Sequence, residues 1–401
     1  MNAYSDRLLL DARNDTLQLE QIAVADLDRN IGGYLEPNWR TRRMVDAWGR
    51  YVAGNGKTDE AEYLNMRAAF SETRGRSNKV FSDVLATHTR KTAYDLSDTL
   101  FKSYVAAPAE KGDAAVTTLS GEDDMVQAAD AWTNVIHGAS RHLEVYGWWK
   151  SRVLAPETLV KALKAKVEAQ MVREHGDDLQ TAYEGKPGAK LQIKMNSNHA
   201  AMIEEMYQLA ADPLLLSIVQ KYMGVPPIFN TPVAFLNSFA KARNDKALSD
   251  VAQLYHHDMH RLGFVKVFIY LTDVGPGSGP HTLVRGTHRK RPDHLWADGR
   301  HNDVAIAEAG LMGDEVRITG KAGTVFLVDT SCLHKGSHPD TEARLMAQVQ
   351  YTNSLFGKPT AAAEHKIEAA ATSKVAAVHE AAALVRKYAG RAGVRFMQNY
   401  I

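Results

Sequence analysis

His256 and Asp258 stand two residues apart in Tyr255-His256-His257-Asp258, shortly before the apolar run Phe264 to Leu271. Along an extended chain residues i and i+2 share a face, so an imidazole and a carboxylate converge there. His334 follows a second strand-like run, Thr324 to Val328, and completes a set of two imidazoles and one carboxylate. Such a set covers one face of a metal ion and leaves the opposite positions open, the ligand arrangement of non-haem Fe(II) oxygenases. Arg344 lies ten residues past His334, where a strand returning from a turn brings a guanidinium toward the same ion.

The His-x-Asp pattern is weak by itself, for it recurs at His301-Asn302-Asp303 and His338-Pro339-Asp340. His301 follows the polar, irregular stretch Ala297-Asp298-Gly299-Arg300, and Pro339 suits a turn. Only His256 and Asp258 lead into a long β-forming run, which favours metal ligation over a surface turn. The segment from Arg344 supplies an independent check. Arg344, Met346, Gln348 and Gln350 share one face of a strand, and Leu345, Ala347, Val349 and Tyr351 share the other. If that strand is central, its polar face lines a cavity, and a buried Arg344 there needs an anionic partner.

The elements that must position these groups are short. Strand-like runs fall at Ile228 to Phe239, Phe264 to Leu271, Thr282 to Arg285, Val316 to Thr319, Thr324 to Val328 and Arg344 to Tyr351. Gly-rich turns (Gly275-Pro276-Gly277-Ser278-Gly279 and Gly320-Lys321-Ala322-Gly323) join them, which predicts an α+β fold around a cupin-like jelly roll, the double-stranded β-helix. Ahead of the strands, Asp212 is a natural N-cap, Pro213 suits the first helical turn and Gly224 can close the helix in a left-handed conformation.

From Leu143 to Phe356 the chain resembles the phytanoyl-CoA dioxygenase family of Fe(II)/2-oxoglutarate oxygenases. The resemblance rests on an ordered series of elements. Tyr146-Gly147-Trp148-Trp149 is followed by Leu154-Ala155-Pro156-Glu157, and then by the helix opened by Ala211-Asp212-Pro213. After His-x-Asp comes Gly279-Pro280-His281-Thr282-Leu283-Val284-Arg285-Gly286-Thr287-His288, and finally His334 with Arg344. Two positions depart from the family pattern: Arg285 replaces a usual proline, and His281 replaces a usual apolar residue. Both concern the pocket more than the metal, and His281 and Arg285 are candidate substrate contacts.

The resemblance implies that His256, Asp258 and His334 hold Fe(II) and that the Arg344 guanidinium grips the distal carboxylate of 2-oxoglutarate bidentately. With O2 as oxidant it implies release of succinate and CO2 and, by default, hydroxylation at an unactivated C–H, with desaturation, cyclisation or epimerisation open to the same ligands. Asn237 and Lys241 are candidate cosubstrate contacts, since polar side chains of relatives act there. The retained Asp258 leaves no coordination position for a halide, so halogenation is not expected. Two other classes stand beside this reading: a cupin-like metalloenzyme that does not use 2-oxoglutarate, and a non-catalytic binding protein on the same barrel.

Composition sets the remaining bounds. The 401 residues carry 48 basic and 47 acidic side chains, a net charge of +1, which provides no broad footprint for nucleic acid or an anionic membrane. The single Cys332 excludes an internal disulfide and suits a reducing cytoplasm. No secretory signal, bilayer-spanning stretch or peroxisomal C-terminal address is expected. Three parts are anticipated: a helical extension over residues 1–140, the oxygenase core over 141–357 and C-terminal helices over 358–401. The first part acts as a cap on the active-site mouth, as a homodimer surface or as scaffold packing. The substrate is expected to be a small metabolite or natural-product intermediate, with an acyl thioester second, and the basic run Arg289-Lys290-Arg291 reads as a solvated loop.

Overall fold

The computed structural model describes residues 39–53, 58–91 and 122–359, apart from positions 201, 211, 226, 243 and 355. The C-terminal helices expected over 358–401 fall, from 360 onward, outside the described residues. Among the described residues the strands form two antiparallel sheets. The larger has the order β1 (Trp148–Leu154), β7 (Thr324–Val328), β4 (Phe264–Tyr270), β9 (Arg344–Thr352), β3 (Ile228–Asn237) and β2 (Gln192–Lys194). The smaller has the order β6 (Glu315–Ile318), β5 (His281–Val284) and β8 (His334–Gly336). The molecule is an α+β protein built on a double-stranded β-helix of the cupin-like jelly-roll kind.

Continuous apolar runs make the central strands because both faces of the larger sheet are covered. In β4, Val265, Val267 and Ile269 turn outward into a core shared with the helices, while Phe268 and Tyr270 turn inward between the sheets. In β7 the same alternation sends Val325 and Leu327 out and Phe326 and Val328 in. The Tyr270 hydroxyl ties the two sheets, donating to the Ile318 carbonyl at 2.7 Å and accepting from the His281 backbone N–H at 3.1 Å.

The strand bounds read from sequence shift by at most two residues. β1 falls at the Trp148-Trp149 pair that carries the family resemblance, and β2 and β8 were not anticipated, because three-residue strands carry too little periodicity to be seen. His334, expected beyond the end of a strand, instead opens β8.

Helices cover the outer face. The pair α5 (Glu157–His175) and α6 (Pro213–Met223) contributes Leu163, Val167, Leu215 and Val219 to the main core. Asp212 caps α6 as expected, accepting from the Leu214 and Leu215 N–H groups at 3.0 Å, and Gly224 closes it at φ +70°. The N-terminal helices α1 (Trp39–Ala53), α2 (Glu60–Glu72) and α3 (Arg76–Lys91) lie against the segment that carries His-x-Asp. Trp48 of α1 packs on Phe81 of α3 and on Phe356 just beyond β9, at ring distances of 5.5 and 5.3 Å. Asn78 of α3 donates to the Leu262 carbonyl at 3.1 Å, and Phe70 of α2 lies 5.5 Å from the His257 ring. Helix α4 (Glu122–Tyr146) runs through the position of the expected boundary near residue 140 and leads directly into β1. No described helix is long and apolar enough to cross a membrane.

Candidate metal centre

His256 and Asp258 sit in an extended approach to β4 rather than on a strand, and backbone pairing fixes them. The His256 N–H donates to the His334 carbonyl at 2.9 Å, and the His334 N–H returns the bond at 2.8 Å. Asp258 N–H reaches the Thr330 carbonyl at 2.8 Å, so the loop before β8 holds both sides of the motif. Thr287, at the end of the turn after β5, accepts from the Leu333 N–H at 2.9 Å and steadies that loop. A two-residue bridge across the barrel mouth thus brings together residues 78 positions apart in the sequence.

The result is one cluster. A nitrogen from each imidazole and an oxygen from the carboxylate all lie within 4.8 Å of one another. His256 Nε2 is 3.8 Å from Asp258 Oδ1, and His334 Nε2 is 3.6 Å from Asp258 Oδ2. The other nitrogen of each ring is occupied: His256 Nδ1 faces the Leu254 carbonyl and His334 Nδ1 the Cys332 carbonyl, both at 2.9 Å. A carbonyl only accepts, so each Nδ1 carries the proton and each Nε2 presents its lone pair inward. Burial keeps His256 well below the usual histidine range, reinforced by neighbouring His334, and burial likewise lowers His334. Both imidazoles are therefore neutral at pH 7, the form that ligates a metal.

Burial works against the Asp258 carboxylate, yet the Lys266 ammonium, with His260 and the ligand-like histidines, holds it well below the ordinary range. Lys266 Nζ donates to Asp258 Oδ2 at 2.6 Å from the inner face of β4, and its side chain is buried. Lys266 was not singled out in the sequence. The signal was available, because one lysine interrupts an otherwise apolar strand with no water-facing side.

Arg344 opens β9 on the inner face and is fully buried. Its Nη1 donates to the Gly279 carbonyl, while Nε and Nη2 have no hydrogen-bond partner. Gly279 takes φ +64°, and a Cβ there would collide with the Ser337 backbone, so the Gly-rich turn is what permits this approach. Burial pushes the Arg344 guanidinium down to about 10, still a cation at neutral pH. Two open donors on a buried cation cost about 1–3 kcal/mol each unless an acceptor arrives. A Cβ on Gly336 would lie 2.8 Å from Arg344 Nη2, so that glycine keeps open a cradle beside the guanidinium. The donor set thus fits a divalent metal, and the cradle fits a small carboxylate.

The remaining sequence candidates divide. Asn237 is buried and pairs directly with Arg344 across β3 and β9, which places it at the cradle. Lys241, the other candidate cosubstrate contact, lies beyond the strand. β3 ends at Asn237, the Ser238 hydroxyl accepts from the Ala240 N–H at 3.0 Å, and Lys241 is exposed. Arg285 is also a correction: it lies past the end of β5, exposed, with Nε donating to Asp314 Oδ1 at 2.8 Å. His281 points into the barrel, buried, with Nε2 unpartnered. Arg289 and Lys290 are exposed as expected, whereas Arg291 is buried, its guanidinium 3.9 Å from the Trp296 ring centroid and its Nη1 donating to the Ser331 carbonyl at 3.1 Å. The His257 ring lies 5.5 Å from the Phe70 ring.

A cavity of about 360 Å³ opens beside His256 and Asp258. Tyr63 and Arg67 of α2 and Arg300 face it together with His257 and His260. Arg67 forms an ion pair with Asp298, joining the N-terminal helices to the loop across the mouth. Sequence reasoning missed Tyr63, Arg67 and Arg300, since nothing near them in the chain marks them.

A family model described as phytanoyl-CoA dioxygenase matches residues 146–345. Among curated proteins none matches the chain. Similar solved structures include the non-heme alpha ketoglutarate dependent epimerase SnoN from nogalamycin biosynthesis, 18% identical with a TM-score of 0.39 over 55% of this chain and 81% of that one. HygX from Streptomyces hygroscopicus, solved with nickel, 2-oxoglutarate and hygromycin B, is 15% identical with a TM-score of 0.38 over 55% and 88%. EctD from S. alaskensis, solved with 2-oxoglutarate and 5-hydroxyectoine, is 20% identical with a TM-score of 0.38 over 62% and 80%.

Proposed function

Residues 146–345 belong to the phytanoyl-CoA dioxygenase family of non-haem iron, 2-oxoglutarate-dependent oxygenases, and from that premise we propose that this enzyme hydroxylates an unactivated C–H bond of a small polar metabolite. His256, Asp258 and His334 would hold Fe(II), and Arg344 with Asn237 would bind the distal carboxylate of 2-oxoglutarate. When bound, iron and 2-oxoglutarate supply oxidation by O2, with succinate and CO2 as coproducts.

The chain's own residues orient and enclose. The Leu254 and Cys332 carbonyls hold the two imidazoles in the ligating tautomer. Lys266 restrains Oδ2 of Asp258 and keeps the carboxylate ionised, as a partner behind a ligand does. Phe268, Phe326 and Val328 fill the space between the sheets and exclude bulk water from it.

The observation that carries the substrate reading is the cavity of about 360 Å³ beside His256 and Asp258. It lies at the small end of ligand sites, and Met259 is the one aliphatic side chain facing it. An acyl thioester needs a long apolar channel, and polar groups such as Arg67 and Arg300 do not supply one.

A turnover screen tests this. Metabolites are incubated with enzyme, ferrous ion and 2-oxoglutarate, and mass spectrometry scores addition of one oxygen atom or loss of two hydrogens alongside succinate. Addition of oxygen to a small polar compound is expected. His256→Ala should abolish both succinate release and iron retention. Iron retention in His256→Ala equal to that of the unmodified enzyme would remove His256 from the proposed ligands.

A further inference from the structure

His281 lies inside the barrel, only 5% exposed, with no hydrogen-bond partner for Nε2. Its position is rigid. The backbone N–H is held by the Tyr270 hydroxyl at 3.1 Å, and the ring lies 4.7 Å from Phe268 and 5.6 Å from His334. His281 does not face the cavity beside His256 and Asp258. Across the β5–β8 pair it stands opposite Gly336, the residue that borders both Arg344 and Asn237. A Cβ at Gly336 would be 2.8 Å from Arg344 Nη2 and 3.5 Å from Asn237 Nδ2.

A ring nitrogen buried among Phe268, Phe326 and His334 without a partner costs about 1–3 kcal/mol, which an apolar side chain here would not incur. The neighbouring orphans, Arg344 Nε and Nη2, are likewise buried and unsatisfied on the same inner face. We infer that His281 is a further cosubstrate-binding residue, its Nε2–H donating to the 2-oxoglutarate carboxylate gripped by Arg344. This inference rests on the proposed 2-oxoglutarate site and moves His281 from the substrate side to the cosubstrate side. Packing alone is the competing account, and it predicts that ring shape, not the nitrogen, matters.

The test is calorimetric titration of the Mn(II)-loaded full-length enzyme with 2-oxoglutarate, without substrate and without turnover. His281→Phe keeps a ring that suits Phe268 and Phe326 but removes both nitrogens; it should weaken 2-oxoglutarate about ten- to hundredfold, the range of a hydrogen bond to a charged acceptor. Its Mn(II) affinity should be unchanged, which also reports a folded site. His281→Gln retains a donor and should recover most of the loss. Should His281→Phe fail to bind Mn(II), His281→Leu carries the same expectation. The inference is overturned if His281→Phe binds 2-oxoglutarate like the unmodified enzyme, or if Phe and Gln weaken it equally. No binding by the unmodified enzyme would instead sink the 2-oxoglutarate site itself.

Discussion

The two ends of the barrel's inner face differ in how their polar atoms are paired. At the His256–Asp258–His334 end the protein has already completed the outer connections. Both Nδ1 atoms meet backbone carbonyls, Asp258 Oδ2 meets Lys266, and reciprocal backbone bonds lock His256 to His334. At the Arg344 end the connections are left open, with Nε, Nη2 and His281 Nε2 all buried and unpartnered. The first pattern suits a resident ion, whose ligands gain by being aligned before it arrives. The second suits a dicarboxylate consumed in every cycle, which must supply the missing acceptors itself and then leave.

The largest expected effect separates the two ends. Arg344→Met removes a bidentate, charge-assisted contact and should weaken 2-oxoglutarate about a hundredfold or more, with metal content little changed. Metal analysis beside a 2-oxoglutarate titration reads both ends at once, and a parallel loss of metal would erase the distinction. A smaller effect belongs to Lys266→Met, which removes the partner behind Asp258. Metal affinity should fall about ten- to hundredfold, as for other residues that orient a metal ligand, while 2-oxoglutarate affinity at saturating metal changes far less.

The smallest effect is in pH. Burial, the largest cause at each, holds His257 to about 3 and His260 to about 4 in the folded protein, whereas the unfolded chain titrates near 6.5. Their stability contribution is thus complete above pH 6.5 and is lost as pH falls from there toward 4, because the unfolded state binds the extra protons. Urea unfolding of the metal-free protein should lose up to about 1.4 kcal/mol per pH unit for each such group. A rise in stability on acidification through this window would contradict the assignment.

Much of the barrel was legible along the chain. The apolar runs at β4 and β7 and the split faces of β9 come from periodicity that the sandwich leaves little freedom to violate. Arg344, Met346, Gln348 and Gln350 do share the inner face, with Leu345, Ala347 and Val349 packed outward. Lys241 and Arg285 both lie exposed, for different reasons. Lys241 was assigned by carrying β3 past its end, and a strand's last residue is decided by neighbours rather than by its own propensity. Arg285 was singled out only because it replaces a usual proline of the family pattern, which says nothing about where its side chain goes. Tyr63, Arg67 and Arg300 were invisible because they reach the cavity from helix α2 and from a loop, with more than 230 positions between Arg67 and Arg300.

What the sequence determined by itself was the chemistry on offer: two imidazoles, one carboxylate, a guanidinium on the polar face of a strand, and apolar runs long enough to bury it. Tertiary structure alone decided which lone pairs turn inward, that Lys266 backs Asp258, and that His281 stands opposite Gly336 beside Arg344 instead of in the cavity. Residue type fixes what a group can donate or accept. Orientation depends on hydrogen bonds and packing from partners far away in the chain, and these exist only once the sheets have closed.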